Sequence, residues 1–217
     1  WVHYLTKEHG NTCPRFIDLT PDVAWLIGYY LADGHSEYRS GAVRSVSLTS
    51  NLSEEQDLRD KTKRILDSLG IQGVVEYDRF RDSGNSGNVC VQNIAFAHLV
   101  QHFAPGVCDT KVLRHGDILL TSQAHAEAFL GGYFAGDGTK QDFQSTVTTV
   151  SKVLAEQVSE ILISCGVACS LMTTLVQNRK RRWLVRFTRS SDAAVRIHDL
   201  IIRDKKVPRF MAEARCN

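Results

Sequence analysis

A chain of 217 residues, 43% hydrophobic and 23% charged, is long enough to bury one large core or two small ones and too apolar for extensive disorder. Its formal charge of +2 neither demands nor forbids a nucleic-acid partner, so the placement of the basic residues matters more than their sum. No apolar run reaches the roughly 18 residues of a membrane-spanning helix, and six scattered cysteines without a Cys-x-x-Cys pair fit reduced thiols better than a disulfide framework or a zinc site.

In chain order, residues 1–20 match nothing later in the sequence and form an N-terminal extension without a legible role; a chain that starts on Trp1 is expected to lack its natural start. An apolar helix follows in "LIGYYLADG", Leu26 to Gly34, and stops on Asp33. "VRSVSLTSN" is polar and strand-forming, with Ser45, Ser47 and Thr49 on one side and Val46 and Leu48 on the other. "LSEEQDLRDKTKRILDSLGI" reads as a helix, opened by a capping box of Asn51 and Glu54 and closed by Gly70. "GVVEYDRF" and "NVCVQN" flank the turn-rich "RDSGNSG" as a hairpin, and Phe96, Leu99, Val100 and Phe103 fall at i, i+3, i+4, i+7 of a short helix.

The same order then returns. "LGGYFAGDG" (Leu130 to Gly138) repeats the first motif, "QSTVTTVS" the polar strand, "KVLAEQVSEILISCGV" the helix closed by Gly166, and "CSLMTTLVQ" with "RWLVRFT" the hairpin around "NRKR". Even the exits correspond, "DTKVLRH" (Asp109 to His115) with "DKKVPRF" (Asp204 to Phe210). The boundaries are therefore 1–20 for the extension, 21–115 for the first half and 116–217 for the second. Two α+β halves related by a pseudo-twofold axis are expected.

Gly28 and Ala32 in the first motif, and Gly132 and Gly136 in the second, lie four apart and share a helix face that lets two backbones approach closely. Packing the motif helices on these faces brings Asp33 and Asp137 together. Two carboxylates at two negative helix ends repel, and a bound cation is the economical compensation; oxygen ligands of this kind suit Mg²⁺. Gly34 and Gly138 are expected to end the helices in the left-handed conformation.

The two motifs resemble the signature helices of the LAGLIDADG homing endonucleases in their single-chain, two-motif form, over roughly residues 17–210. The segments around "TKVLRHGDILLTSQAHAEAFLGGYFAGDG" and "VSKVLAEQVSEILISCGV" are similar in particular to endonuclease domains lodged in inteins. The resemblance implies an α+β fold of two αββαββα halves whose antiparallel sheets form a saddle over double-stranded DNA. It implies an intracellular, DNA-associated monomer, with no membrane partner, that makes a double-strand break with Mg²⁺, the same sites being open to Mn²⁺ or Ca²⁺. It places the metal ligands at Asp33 and Asp137, joined by the backbone carbonyls of Ala32 and Gly136. Lys140, three residues past Asp137, is the candidate basic residue beside the attacking water, so that Asp33, Asp137 and Lys140 form the expected catalytic set; Ser36 stands at the corresponding place in the first half.

DNA contact is expected on the polar strand faces and turns: Arg44, Ser45, Ser47, Thr49, Arg79 and Arg81 in the first half, and Thr146, Thr148, Arg179, Lys180, Arg181, Arg182, Arg186 and Thr188 in the second. His35 reads as a surface histidine. The rival reading is a DNA-binding protein or intron maturase that keeps the fold without cleavage. An autocatalytic splicing element is a third, but it needs a nucleophile first and a terminal His-Asn, and this sequence has Trp1 and Cys216-Asn217 there.

Overall fold

The computed structural model describes residues 3–5, 11–52, 55–80, 86–175 and 181–201, the side chains of 3–5 and 140 excepted. A short ribbon, β1 (His3–Leu5) and β2 (Thr12–Pro14), precedes α1 (Pro21–Asp33), β3 (Gly34–Arg39), β4 (Ala42–Asn51), α2 (Gln56–Ser68), β5 (Val74–Arg79), β6 (Ser86–Val91) and α3 (Ile94–Phe103). A connection with one 3-10 turn (Cys108–Thr110) and α4 (Gly116–Leu119) leads to α5 (Gln123–Asp137), β7 (Gly138–Lys140), β8 (Gln144–Thr149), α6 (Lys152–Ser164), β9 (Cys169–Thr174), β10 (Arg182–Thr188) and α7 (Asp192–Leu200). Each half is αββαββα, with antiparallel four-stranded sheets ordered β3-β4-β6-β5 and β7-β8-β10-β9.

The two motif helices form the spine. Thr20 caps α1 by accepting from the Val23 N–H at 3.3 Å, and Pro21 occupies the first turn, where its missing N–H is harmless. Both helices are apolar almost all round because each is enclosed between its own sheet and the other helix. Trp25, Tyr29, Phe129, Leu130, Tyr133 and Phe134 are all under 2% exposed. A β-carbon on Gly28 would collide with the Phe129 carbonyl oxygen, and one on Gly132 with that of Trp25, so the backbones meet at these glycines; Gly136 instead faces the side chains of Ala32 and Asp33.

α2 and α6 end alike. Gly70 and Gly166 take φ of 69° and 76°, and N–H groups at Gly70, Ile71, Gly166 and Val167 close back onto Asp67, Leu66, Ile163 and Leu162, the Schellman arrangement in both halves. α6 begins at Lys152 as its segment predicts, but the beginning of α2 differs from expectation. β4 runs on through Asn51, and α2 starts only at Gln56, with Glu55 in place of Asn51 as its N-cap residue. In place of the expected capping box with Glu54, which lies outside the described residues, the Asn51 N–H donates to Glu55 Oε2 at 2.6 Å.

The extension docks on the first half. The Thr12 carbonyl accepts from the Gln72 N–H at 3.1 Å and from Asn93 Nδ2 at 3.0 Å, tying β2 to the turns after α2 and β6.

Candidate functional site

α1 and α5 come to their C-terminal ends side by side. The N–H of Gly34 closes onto the Tyr30 carbonyl, that of Gly138 onto Phe134, and a strand begins at each glycine. Contrary to expectation, neither glycine is left-handed, with φ of −85° and −86°. Glycine is needed there for space: a β-carbon on Gly34 would run into the Tyr30 ring and carbonyl, and one on Gly138 into the Phe134 carbonyl.

Asp33 leans across the helix pair, its Oδ2 2.9 Å from where a β-carbon on Gly136 would stand. Both acids and Gly136 line one groove of about 360 Å³ with Thr49, Ser50, Asn51, Glu55 and Ser86. Asp137 also lines a second groove of about 540 Å³ with His35, Lys111, Thr148 and Arg182. Asp33 is half-buried and Asp137 exposed. Burial raises the pKa of the Tyr133 hydroxyl, and the nearby charges of Asp137 and Asp33 add to the rise.

The residue that sequence reasoning missed is Lys111. Its Nζ donates to the carbonyls of Leu31 (2.9 Å), Ala32 (3.1 Å) and Gly34 (2.9 Å), the unpaired acceptors at the end of α1. Burial pulls the ammonium below the usual lysine range, while Asp137 and then Asp33 hold it up. A signal for it was present: Lys111 and Lys206 stand at the same place in the two matching exit segments, Lys206 lying outside the described residues.

The donor set suits a hard divalent cation: two carboxylates at paired negative helix ends, with carbonyl oxygens beside them. The Ala32 carbonyl already accepts from Lys111 and keeps a second lone pair. Among the described residues no group of three or more His, Cys, Asp or Glu forms an all-side-chain cage.

The expected basic partner Lys140 has its backbone opposite Ser145, and its side chain lies outside the described residues. Its first-half counterpart Ser36 is taken up by a polar network, its Oγ 2.7 Å from both the Tyr30 hydroxyl and Gln101 Nε2. His35 does not stand apart on the surface. It lies opposite Ser47 in the β3–β4 register and is half-buried in the second groove, where burial lowers its pKa, Glu37 opposes, and Arg79 and Lys111 add to the fall.

The second half's expected contact strand has the faces its pattern predicts. Val147, Val185 and Phe187 are at most 1% exposed in the core, while Arg186 lies opposite Thr146 and Arg182 opposite Thr174, all partly or fully open. Thr148 and Arg182 line the groove of Asp137 and Lys111, and Thr188 and Arg181 are exposed at the ends of β10. In the first half the expected polar face is largely closed. Ser45 and Ser47 are 5% and 0% exposed: Ser47 lies between His35 on β3 and Cys90 on β6, and Ser45 Oγ donates to Glu37 at 3.0 Å. Neither serine offers a surface for contact. Thr49 donates to Asn88 Oδ1 at 2.8 Å and lines the Asp33 groove. A bulge at Arg44, where Glu37 pairs with Ser45 but Tyr38 with Val43, breaks the alternation so that Val43 and Val46 both enter the core. Arg79 is exposed on edge strand β5 over the Tyr77 ring. Arg81, Arg179 and Lys180 lie outside the described residues.

With this geometry in view, comparison with known proteins finds that the LAGLIDADG-like domain family matches residues 20–101 and 124–214. The chain belongs to the LAGLIDADG-like family. Two curated relatives come from Methanocaldococcus jannaschii: uncharacterized protein MJ1054, 28% identical over 180 residues, and a replication factor C small subunit, 24% identical over 173. Each alignment takes in 77% of this chain but only 19% and 9% of those proteins, so the chain spans a small part of the relatives' length. Among solved structures, the homing endonuclease I-DmoI in complex with DNA and Mn superposes with a TM-score of 0.60 at 16% identity, covering 86% of this chain and 99% of that one. This likeness carries the LAGLIDADG fold of two paired αββαββα halves.

Proposed function

We propose that this LAGLIDADG chain is a site-specific homing endonuclease that hydrolyses one phosphodiester bond in each strand of a long double-stranded DNA target, acting as a monomer on DNA inside the cell. The observation that carries this reading is the meeting of Asp33 and Asp137 at adjoining helix ends with the buried ammonium of Lys111 against the same backbone. A structural helix pair has no use for two like charges and a desolvated lysine at one spot.

Asp33 and Asp137 would hold Mg²⁺, with the Ala32 and Gly136 carbonyls as further donors; I-DmoI has been crystallised with Mn, Ca or Mg. The bound metal supplies charge neutralisation at the attacked phosphate and an activated water. The chain's own residues do the rest. Lys111 neutralises the end of α1 and fixes the carbonyls next to Asp33, so the carboxylate keeps its aim. Arg182 and Thr148, which line the groove beside Asp137, would take a phosphate oxygen and hold the DNA backbone in line. Arg44, Thr49, Arg79, Thr146, Arg181, Arg186 and Thr188 would contact DNA further along the two sheets, joined by the turn residues Arg81, Arg179 and Lys180. Lys140 remains the candidate proton-handling group of the second half.

The shares of 19% and 9% in the relatives support an endonuclease lodged within a larger host protein, as in an intein. The test is cleavage, with Mg²⁺, of a plasmid carrying the uninterrupted host-gene junction. The parent should cut, and Asp33→Asn and Asp137→Asn should each lose about 10²–10³-fold. Tight binding of that site without cutting by the parent would move the assignment to a DNA-binding protein or maturase.

A further inference from the structure

Side chains of the second half bind the connection that carries Lys111, although the helix end it serves belongs to the first. Lys111 sits between the 3-10 turn and α4, on a connection with no strand or long helix to fix its backbone. A long flexible side chain on such a segment is aimed only if its backbone is pinned from outside.

The Val112 and Arg114 N–H groups donate to the Pro105 and Phe103 carbonyls and fold the connection back on the first half, and two side chains of α6 pin it from the second. Gln157 accepts from the Leu113 N–H through Oε1 at 2.9 Å and donates from Nε2 to the Leu113 carbonyl at 2.7 Å. Ser151, the N-cap of α6, donates from Oγ to the carbonyl of Lys111 itself at 2.7 Å while accepting from the Leu154 N–H at 3.2 Å. Leu113 is 3% exposed, so its two backbone groups depend on protein partners. The repeat shows that these are not generic features of the fold. Counting back from Gly70 and Gly166, Gln157 corresponds to Lys61 and Ser151 to Glu55. Lys61 Nζ lies 4.3 Å above the Trp25 ring, and Glu55 accepts from the Asn51 N–H.

We propose that Gln157 and Ser151 are positioning residues for Lys111. By clamping residues 111–113 onto α6, they aim the ammonium at the Leu31, Ala32 and Gly34 carbonyls and make the first half's acidic helix end depend on the second half. The consequence for strand cutting rests on the endonuclease reading; the consequence for Lys111 itself does not.

The deciding experiment is a short acetic anhydride pulse on the intact protein, with acetylation followed lysine by lysine by peptide mass spectrometry. Lys111 should label slowly in the parent and about tenfold faster in Gln157→Ala, the size expected for losing a paired set of hydrogen bonds, while Lys61 and Lys152 keep their parent rates. Ser151→Ala should do the same and Ser151→Thr should restore slow labelling. Unchanged labelling of Lys111, or an equal rise at Lys61, would overturn the proposal. On a nicking substrate, Gln157→Ala should shift the ratio of the two strand-cutting rates, and add nothing further in a Lys111→Met background. Equal slowing of both strands, or additivity with Lys111→Met, would overturn it as well. Should the parent not cut DNA at all, the endonuclease reading fails and the labelling result still decides the role of Gln157 and Ser151.

Discussion

The two halves share a chain path and differ in what they do with equivalent positions. In the first half, the position three past the motif acid is Ser36, sealed in a network with Tyr30 and Gln101; in the second it is Lys140. Asp33 is half-buried against Gly136 and Asp137 is exposed. The middle of the long helix carries Lys61 over Trp25 in one half and Gln157 on the inter-half connection in the other. The lesson is that a repeat preserves packing and capping, which every copy needs, while polar positions are free to answer to whatever passes nearby. Only one connection joins the halves, so its neighbours on α6 have a task that α2 lacks.

The sharpest way to break this comparison is at what the halves share. Gly28→Ala and Gly132→Ala each place a methyl group on a backbone oxygen of the opposite helix, and each should cost more than about 3 kcal/mol, read from denaturant midpoints. Gly166→Ala, with nothing within 4 Å and a φ of 76°, should cost only about 1 kcal/mol of backbone strain. Near-equal losses at Gly132 and Gly166 would mean that α1 and α5 do not meet as closely as described.

Next in size comes a difference between the halves. Lys111→Met leaves three carbonyls at the end of α1 without their donor and should destabilise the protein by about 1–3 kcal/mol. It should slow cutting of one strand more than the other, because the ammonium lies at the α1 end of the helix pair. A uniform loss in both strands would show that the acids act as one symmetric unit. Ser151→Ala removes both the α6 cap and the bond to Lys111, and about 1 kcal/mol is expected from the cap.

How much of this was legible depended on whether the physics was local. The glycine faces, the Asp-Gly helix ends, the Gly70 and Gly166 stops and the inward Val185 and Phe187 all follow from spacing and periodicity, and all are in the structure. The left-handed helix ends expected at Gly34 and Gly138 were wrong because the close approach of Tyr30 and Phe134, a contact set by the tightness of the turn into the strand, explains the glycines instead. Ser45 and Ser47 were misplaced because alternation tells which side a residue takes, whereas exposure depends on the side chains beside it across the sheet, here Glu37 for Ser45 and His35 with Cys90 for Ser47. Lys111 escaped because it reaches α1 from 77 to 80 residues away, a distance over which only an echo between exit segments gives a hint.

The smallest effect concerns Lys61, whose counterpart Gln157 carries no charge. Half-burial disfavours the Lys61 ammonium and lowers its pKa, Asp22 partly opposing and Arg64 adding to the fall. The folded state therefore binds this proton less tightly than the unfolded chain, and the penalty is fully present at neutral pH. It is relieved as pH rises toward the ordinary lysine value of 10.5, so stability gains a positive slope there. Against this stands the attraction of the ammonium for the Trp25 ring, about 0.5–1 kcal/mol at a partly exposed site. The attraction acts on the same charged form and offsets only part of the penalty, so Lys61→Met should change stability by less than about 0.5 kcal/mol at pH 7. The variant should nevertheless lose the upward slope, so that the parent gains on it between neutral pH and the lysine range. Parallel stability curves for the two proteins would mean that Lys61 is as well solvated in the fold as in the unfolded chain, and that α2 and α6 are more alike at this position than their contacts indicate.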